Sequence, residues 1–250
     1  MGTQRRGRID EFDFRPGMII GDKYEILSPL GAGWEGEVYQ IIELNTGIER
    51  AAKFFFPQRN LNNRVAARYA KMLHKLNKCP IVIQYYTHEF VFVDEQRVTC
   101  LISEYVKGQL LSDFIRQQPG KKLDIFRGLH LLHALIKGLE TLHDNRAYHG
   151  DLHTENVMIE RSGLGFQLKL LDMYHWGGND RKSNMEEDIY NSIRIFYDAL
   201  GGAKTYAKHP PEIKAICLGM RRQPIAKKFK TAKSLREHLE NINWGKEGAD

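Results

Sequence analysis

The sequence predicts an α+β chain of two lobes, an antiparallel sheet with one helix followed by a mostly helical lobe. Three observations carry that expectation. Between Tyr24 and Phe56, apolar and aromatic residues fall into three short runs separated by glycine-containing turns, the pattern of an antiparallel meander. Beyond Gly108, apolar residues recur at helical spacing over long stretches. A strand-like run, a glycine and a new helix meet at 104–115 without a Ser/Pro-rich linker, which sets a boundary between closely coupled lobes. The 250 residues, 42% hydrophobic and 27% charged, suffice for two small lobes with real cores.

Residues 1–21 mix charge with Phe12, Phe14, Pro16 and Gly17 and read as an arm or a strap on the first lobe, which spans 22–106. Strands are expected at 24–27, 39–42 and 51–56, the last stopped by Pro57. Val65, Tyr69, Met72 and Leu76 give a helical stripe over 61–78, with Arg64, Arg68, Lys71, Lys75 and Lys78 on a parallel stripe. That stripe is either a solvated face or a docking face for an acidic partner or nucleic acid. No Asp or Glu occurs between Glu49 and Glu89. A strand pair is expected at 81–86 and 89–93, then a turn at Asp94-Glu95-Gln96 and a strand at 97–103.

In the second lobe, 107–243, residues 124–143 form a long helix, apolar over most of its girth and hence a core element. A hairpin around Ser162-Gly163 joins 156–160 to 166–171. Glu186-Glu187-Asp188 reads as the opening of a helix ended by Gly201-Gly202. Pro210-Pro211 starts a shorter helix, and Thr231 caps the last one, before a tail at 244–250.

No apolar run reaches membrane-spanning length and the basic start has no apolar signal core, so a cytoplasmic location is expected. Met1-Gly2 hints at myristoylation, but Arg6 stands where Ser or Thr is wanted. Cys79, Cys100 and Cys217 form no CxxC pair and read as buried small hydrophobes in a reducing compartment. The net charge of +6 suits phosphate-bearing nucleotides, and nucleic acid is not expected as a partner.

Two stretches carry chemistry. Gly31-Ala32-Gly33-Trp34-Glu35-Gly36-Glu37-Val38 lies between strands, so it suits a flap over phosphates better than a dinucleotide loop that opens a helix. Lys53 sits on the next strand amid Ala51, Ala52 and three Phe, where a buried ammonium needs an anion. The second stretch is Tyr148-His149-Gly150-Asp151-Leu152-His153-Thr154-Glu155-Asn156, with Asp172 about 20 residues on. A carboxylate that accepts a hydroxyl proton, with two hard oxygen ligands for Mg²⁺, is what phosphoryl transfer requires.

Taken together and in this order, these motifs resemble the eukaryotic-type protein kinase family from Tyr24 to Ile242. The resemblance implies the two-lobe protein-kinase-like fold, with an antiparallel sheet and one helix in the first lobe and a mostly helical second. It implies that Gly31, Ala32, Gly33, Gly36 and Val38 frame ATP and that Lys53 holds its α/β-phosphates. The backbone of Glu104 and Val106 would meet the adenine edge, with Ser103 as gatekeeper. Asp151 would be the catalytic base, and Asn156 and Asp172 would hold Mg²⁺ or Mn²⁺. His149 and Asp188 would be structural.

Departures from the family accompany the matches. Tyr69 falls where the family's helix carries the Glu that pairs with the strand lysine, so Lys53 must lean on Asp172 or on an acid from elsewhere. Gly150 replaces the Arg that meets an activation-loop phosphate. Met173 and Tyr174 follow the metal Asp, and the Ala-Pro-Glu signature is absent. Only about 15 residues separate Asp172 from Asp188, a truncated activation segment, and Lys230 stands for the Arg that would pair with the missing Glu. His153 stands for the catalytic-loop lysine, a feature similar to small-molecule kinases of the aminoglycoside type. The expected function is an atypical Ser/Thr-directed protein kinase acting on ATP and a protein substrate. The alternatives are a nucleotide-binding pseudokinase serving as a scaffold or switch, and a small-molecule kinase.

Overall fold

The computed structural model describes residues 8–163, 165–173 and 180–243. The chain divides into two compact units, one of Met1–Lys78 with Ile83–Val106, the other of Cys79–Val82 with Lys107–Asp250.

The first unit is a six-stranded antiparallel sheet with one α-helix. Its strands are β1 (Ile19–Ile20), β2 (Tyr24–Ala32), β3 (Gly36–Glu43), β4 (Ile48–Phe55), β5 (Tyr85–Val93) and β6 (Gln96–Glu104), in the order β1-β2-β3-β4-β6-β5. The helix, α1, is Arg64–Lys75 and buries Ala66 and Leu73. Side chains alternate across the pleat, so Ala52 and Phe54 enter one face of β4 and Lys53 and Phe55 the other. The Ala52/Phe54 face joins Ile26, Tyr39, Ile41, Val91, Val98, Cys100 and Ile102 in a buried core.

The N-terminal segment closes that core as a strap. Ile9, Phe12 and Phe14 are buried in it. Phe12 stacks on Phe14 and Phe56 with centroids 5.3 and 5.1 Å apart, and Phe14 meets Phe54 edge-on at 4.8 Å. Such pairs add about 0.5–1.5 kcal/mol each beyond the area they bury. The strap's backbone is satisfied by buried side chains of β3. The Phe12 N–H donates to Glu37 Oε1 at 3.2 Å and the Phe14 N–H to the Tyr39 hydroxyl at 3.3 Å. The Tyr39 hydroxyl in turn donates to Glu37. Burial, then this carboxylate, push the phenol well above its ordinary range.

One strand expectation fails. The stretch 81–93 is not a strand pair: β5 starts at Tyr85 and runs unbroken to Val93, pairing with β6 across Asp94-Glu95, both in left-handed backbone. Ile81 and Val82 belong to the second unit, where the Leu170 N–H donates to the Ile81 carbonyl at 2.7 Å and Val82 bridges Leu170.

The second unit has a small antiparallel sheet of β7 (Gln109–Leu110), β8 (Val157–Ser162) and β9 (Gly165–Leu170). Its helices are α2 (Leu111–Arg116), α3 (Ile125–Asp144), α4 (Arg181–Ala199), α5 (Ala203–Tyr206), α6 (Pro211–Cys217), α7 (Arg222–Lys228) and α8 (Ala232–Glu240). The central α3 starts at Asp124, whose side chain accepts the Arg127 N–H, and buries Leu131, Leu132, Leu135, Ile136, Leu139 and Leu142. Gly138 lets the 79–82 segment lie against α3, because a Cβ there would overlap the Ile81 side chain. Arg236 of α8 makes a two-pronged pair with Glu140 of α3 at 2.6 and 3.3 Å.

The start of α4 differs from its expectation. The helix begins at Arg181, capped by the Asp180 side chain on the Ser183 N–H at 2.9 Å, with no acid in the first turn. Glu186, Glu187 and Asp188 thus lie inside the helix, and Asp188 is fully buried. Its negative charge answers to the loop it binds rather than to the helix N-terminus. The cap at Thr231 forms as expected, as a capping box with Ser234.

Candidate active site

In the first unit, Gly31, Ala32, Gly36, Val38 and Lys53 lie on three adjacent strands, and Gly33 sits in the turn between β2 and β3, its N–H donating to the Gly36 carbonyl at 2.9 Å. Gly31 pairs with Val38 across β2–β3, and Val38 pairs with Lys53 across β3–β4. The glycines serve two different ends. A Cβ at Gly36 would overlap the Phe54 carbonyl, so this residue is bare because β4 passes against it. A Cβ at Gly31 or Gly33 would meet nothing within 4 Å, so no neighbour in the protein requires those two to be bare. They suit a ligand that must approach backbone closely.

Lys53 is the charged centre of this unit. Its Nζ lies 3.1 Å from Glu35 Oε2, with the side chains 14% and 23% exposed. The ammonium also stands 5.2 Å over the Tyr69 ring and 5.5 Å over the Phe55 ring. Glu35 precedes Lys53 by 18 residues in the chain and belongs to the glycine run, so local spacing does not mark it as the lysine's partner. Strand register is the signal that finds it: Gly36 pairs with Phe55, which brings the preceding residue beside β4. The Phe56 N–H donates to the Glu35 carbonyl at 2.9 Å, pinning Glu35 at the root of the flap. At the flap's tip, Trp34 is exposed and the Arg59 guanidinium lies 3.9 Å over its ring.

Glu104 ends β6, and its N–H is taken by the Gln84 carbonyl at 2.8 Å. Ser103 beside it is buried and Val106 half-buried.

In the second unit, one loop carries the other candidates. Buried Asp188 accepts the N–H of His149 at 2.7 Å and of Gly150 at 3.0 Å, and lies 3.1 Å from His143 Nε2. His149 is fully buried; its Nδ1 accepts the Asp151 N–H at 3.2 Å, so its Nε2 carries the proton and donates to the Leu171 carbonyl at 2.8 Å. Burial lowers the pKa of this imidazole, against the pull of Asp188. Gly150 has φ +83°, a conformation that strains any residue with a Cβ.

Asn156 closes the loop. Its Nδ2 donates to the Asp151 carbonyl and lies against His153 Nε2, both at 2.9 Å. The opposite orientation of the amide would set oxygen against oxygen, so Oδ1 is the atom left for a ligand. Asp151 is exposed, with His153 Nε2 3.7 Å from its carboxylate. The Asn156 carbonyl takes the Leu171 N–H at 2.9 Å, so the loop holds Leu171 by both its peptide groups, and Asp172 follows, exposed and at φ +43°. Asp151, Asn156 and the backbone leading to Asp172 are thus brought together.

Among the described residues, no cluster of three His, Cys, Asp or Glu side chains could hold a metal alone. An Asn and an Asp with few further protein ligands fit Mg²⁺, which commonly keeps waters and shares phosphate oxygens. His175 and Tyr174 lie outside the described residues.

The family model described as "Protein kinase domain" matches residues 24–192. Serine/threonine-protein kinase pkn2 of Myxococcus xanthus is 31% identical over 157 residues, covering 62% of this chain and 18% of that protein. Serine/threonine-protein kinase A of Synechocystis is 25% identical over 175 residues, 64% of this chain and 32% of that protein. The chain therefore spans a third or less of the length of these relatives. A crystal structure of the Mycobacterium tuberculosis PknI kinase domain superposes with a TM-score of 0.66 at 15% identity, covering 91% of this chain and 98% of that one. At that identity the likeness speaks to the fold alone, and the fold is that of a protein kinase.

Proposed function

This chain belongs to the protein kinase family, and from that premise we propose that it is an ATP-dependent, serine/threonine-directed protein kinase. The observation that carries the proposal is the staple of Asn156 to the Asp151 carbonyl. It leaves one carboxylate exposed beside one uncommitted amide oxygen, the pairing of base and metal ligand that the reaction uses.

In this reading Asp151 accepts the proton of the attacking hydroxyl, and Asn156 Oδ1 and the Asp172 carboxylate hold Mg²⁺ or Mn²⁺. The metal supplies charge neutralisation on the nucleotide phosphates. Lys53 donates to the α/β-phosphates, and Gly31, Ala32, Gly33, Gly36 and Val38 form the flap that covers them. Because the Glu104 N–H is already engaged, Glu104 offers adenine its carbonyl, and Val106 offers its N–H. The exposed Arg64, Arg68, Lys71 and Lys75 of α1, with Lys78 just beyond it, make no ion pair with any described residue, and they form a surface suited to an acidic partner.

Incubation with radiolabelled ATP and Mg²⁺ or Mn²⁺ tests the reading. Label should enter the protein itself or a protein substrate, and Asp151→Asn should abolish it while nucleotide binding persists. Binding without transfer to any substrate would replace the proposal with the scaffold reading. Transfer to a hydroxylated metabolite alone would replace it with a small-molecule kinase.

A further inference from the structure

The position on α1 that in this family supplies a carboxylate to the strand lysine is held by Tyr69, whose ring lies 5.2 Å from Lys53 Nζ. The carboxylate 3.1 Å from that nitrogen comes instead from Glu35, at the root of the glycine-rich flap. Both side chains are mostly buried. Two aromatic faces, Tyr69 and Phe55, flank the ammonium and attract it without supplying a formal charge.

We infer that Glu35 is the positioning carboxylate for Lys53, so that the flap, and not α1, orients the phosphate-binding lysine. The inference rests on the reading of Lys53 as that lysine. Two features support a positioning role over a competing one. The Glu35 carbonyl is fastened to the Phe56 N–H, one residue past the end of β4, so its side chain leaves from a fixed point. Gly36, the next residue, lies so close to β4 that no side chain fits between them, and the root of the flap cannot slide along that strand. α1 carries no Asp or Glu, so the carboxylate of the Glu35–Lys53 pair does not travel with that helix.

The test compares Glu35→Gln, Glu35→Gln/Tyr69→Glu, Lys53→Ala and Glu35→Gln/Lys53→Ala in two assays. The first is steady-state phosphoryl transfer. Glu35→Gln should lower kcat/KM by about tenfold or more, as loss of an orienting group does. Adding Tyr69→Glu, which returns a carboxylate from the helix side, should recover most of that loss. Glu35→Gln should cost nothing further once Lys53 is Ala. Unchanged or raised kcat/KM in Glu35→Gln, or failure of Tyr69→Glu to recover it in a variant whose unfolding midpoint matches wild type, would overturn the inference.

The second assay needs no turnover: the Lys53 amine is acetylated in the native protein and read by mass spectrometry. Removing the carboxylate should speed acetylation of Lys53 severalfold, and an unchanged rate would count against the pairing. A wild-type protein that transfers no phosphoryl group, but whose Lys53 responds to Glu35→Gln, would sink the kinase reading and leave the pairing standing.

Discussion

Asn156 donates through Nδ2 to the backbone carbonyl of Asp151 at 2.9 Å, so the residue proposed to hold metal also shapes the loop that presents the proposed base. Replacing Asn156 by Asp retains an oxygen ligand but sets a carboxylate against that carbonyl. Transfer activity is expected to fall by more than about tenfold even at saturating Mg²⁺, since raising metal concentration cannot restore loop geometry. Full recovery at high Mg²⁺ would show that Asn156 acts as a ligand only.

Asp188 is fully buried and accepts two backbone N–H groups, those of His149 and Gly150. Asp188→Ala leaves both donors without an acceptor, at about 1–3 kcal/mol each. Urea unfolding should show a loss of a few kcal/mol. A loss below about 1 kcal/mol would mean that the loop re-forms its bonds elsewhere.

Acid should destabilise the fold from just below neutrality. Burial lowers the pKa of His149, His209 and His238 from the ordinary 6.5. The unfolded chain then takes up protons before the folded one does, so this stability is present above about pH 6.5 and is lost as pH falls below it. The unfolding midpoint should drop between pH 7.5 and 5.5, and His149→Gln should flatten part of that drop. A midpoint that does not move over this range would contradict the burial of these rings.

Gly36→Ala tests the close approach of β3 to β4. Its Cβ would overlap the Phe54 carbonyl, and backbone cannot step aside as a side chain can. A destabilisation of about 1–3 kcal/mol is expected, read from thermal or urea unfolding. Gly31→Ala and Gly33→Ala should leave stability nearly unchanged, because nothing lies within 4 Å of the added methyl, and should weaken nucleotide binding instead.

Much of this architecture can be read from spacing. The meander around the glycine run, the apolar girth of α3 and the Thr231 cap appear in the structure as local pattern implies. Where the reading fails, a distant partner decides. Ile81 and Val82 look like strand residues, but Leu170 and bare Gly138 draw them to the second unit. Glu186 and Glu187 look like a helix start, yet Asp180 supplies the cap six residues earlier. The short α5 and α7 carry too few periodic residues to be seen from sequence. In the candidate site, the loop chemistry is legible because its residues are neighbours in the chain. The partner of Lys53 is not, because it is set by which residues of β3 and β4 lie side by side.

The buried Glu37 that anchors Phe12 is next in sequence to Gly36, and both belong to the strand that leaves the flap. Trimming the chain after Asp13 would therefore do more than shed a tail. It would unzip a seam, exposing the greasy side of β4 to water and stripping Glu37 of one of its hydrogen-bond donors. Any label or fusion joined just ahead of Ile9 would pull on the same thread.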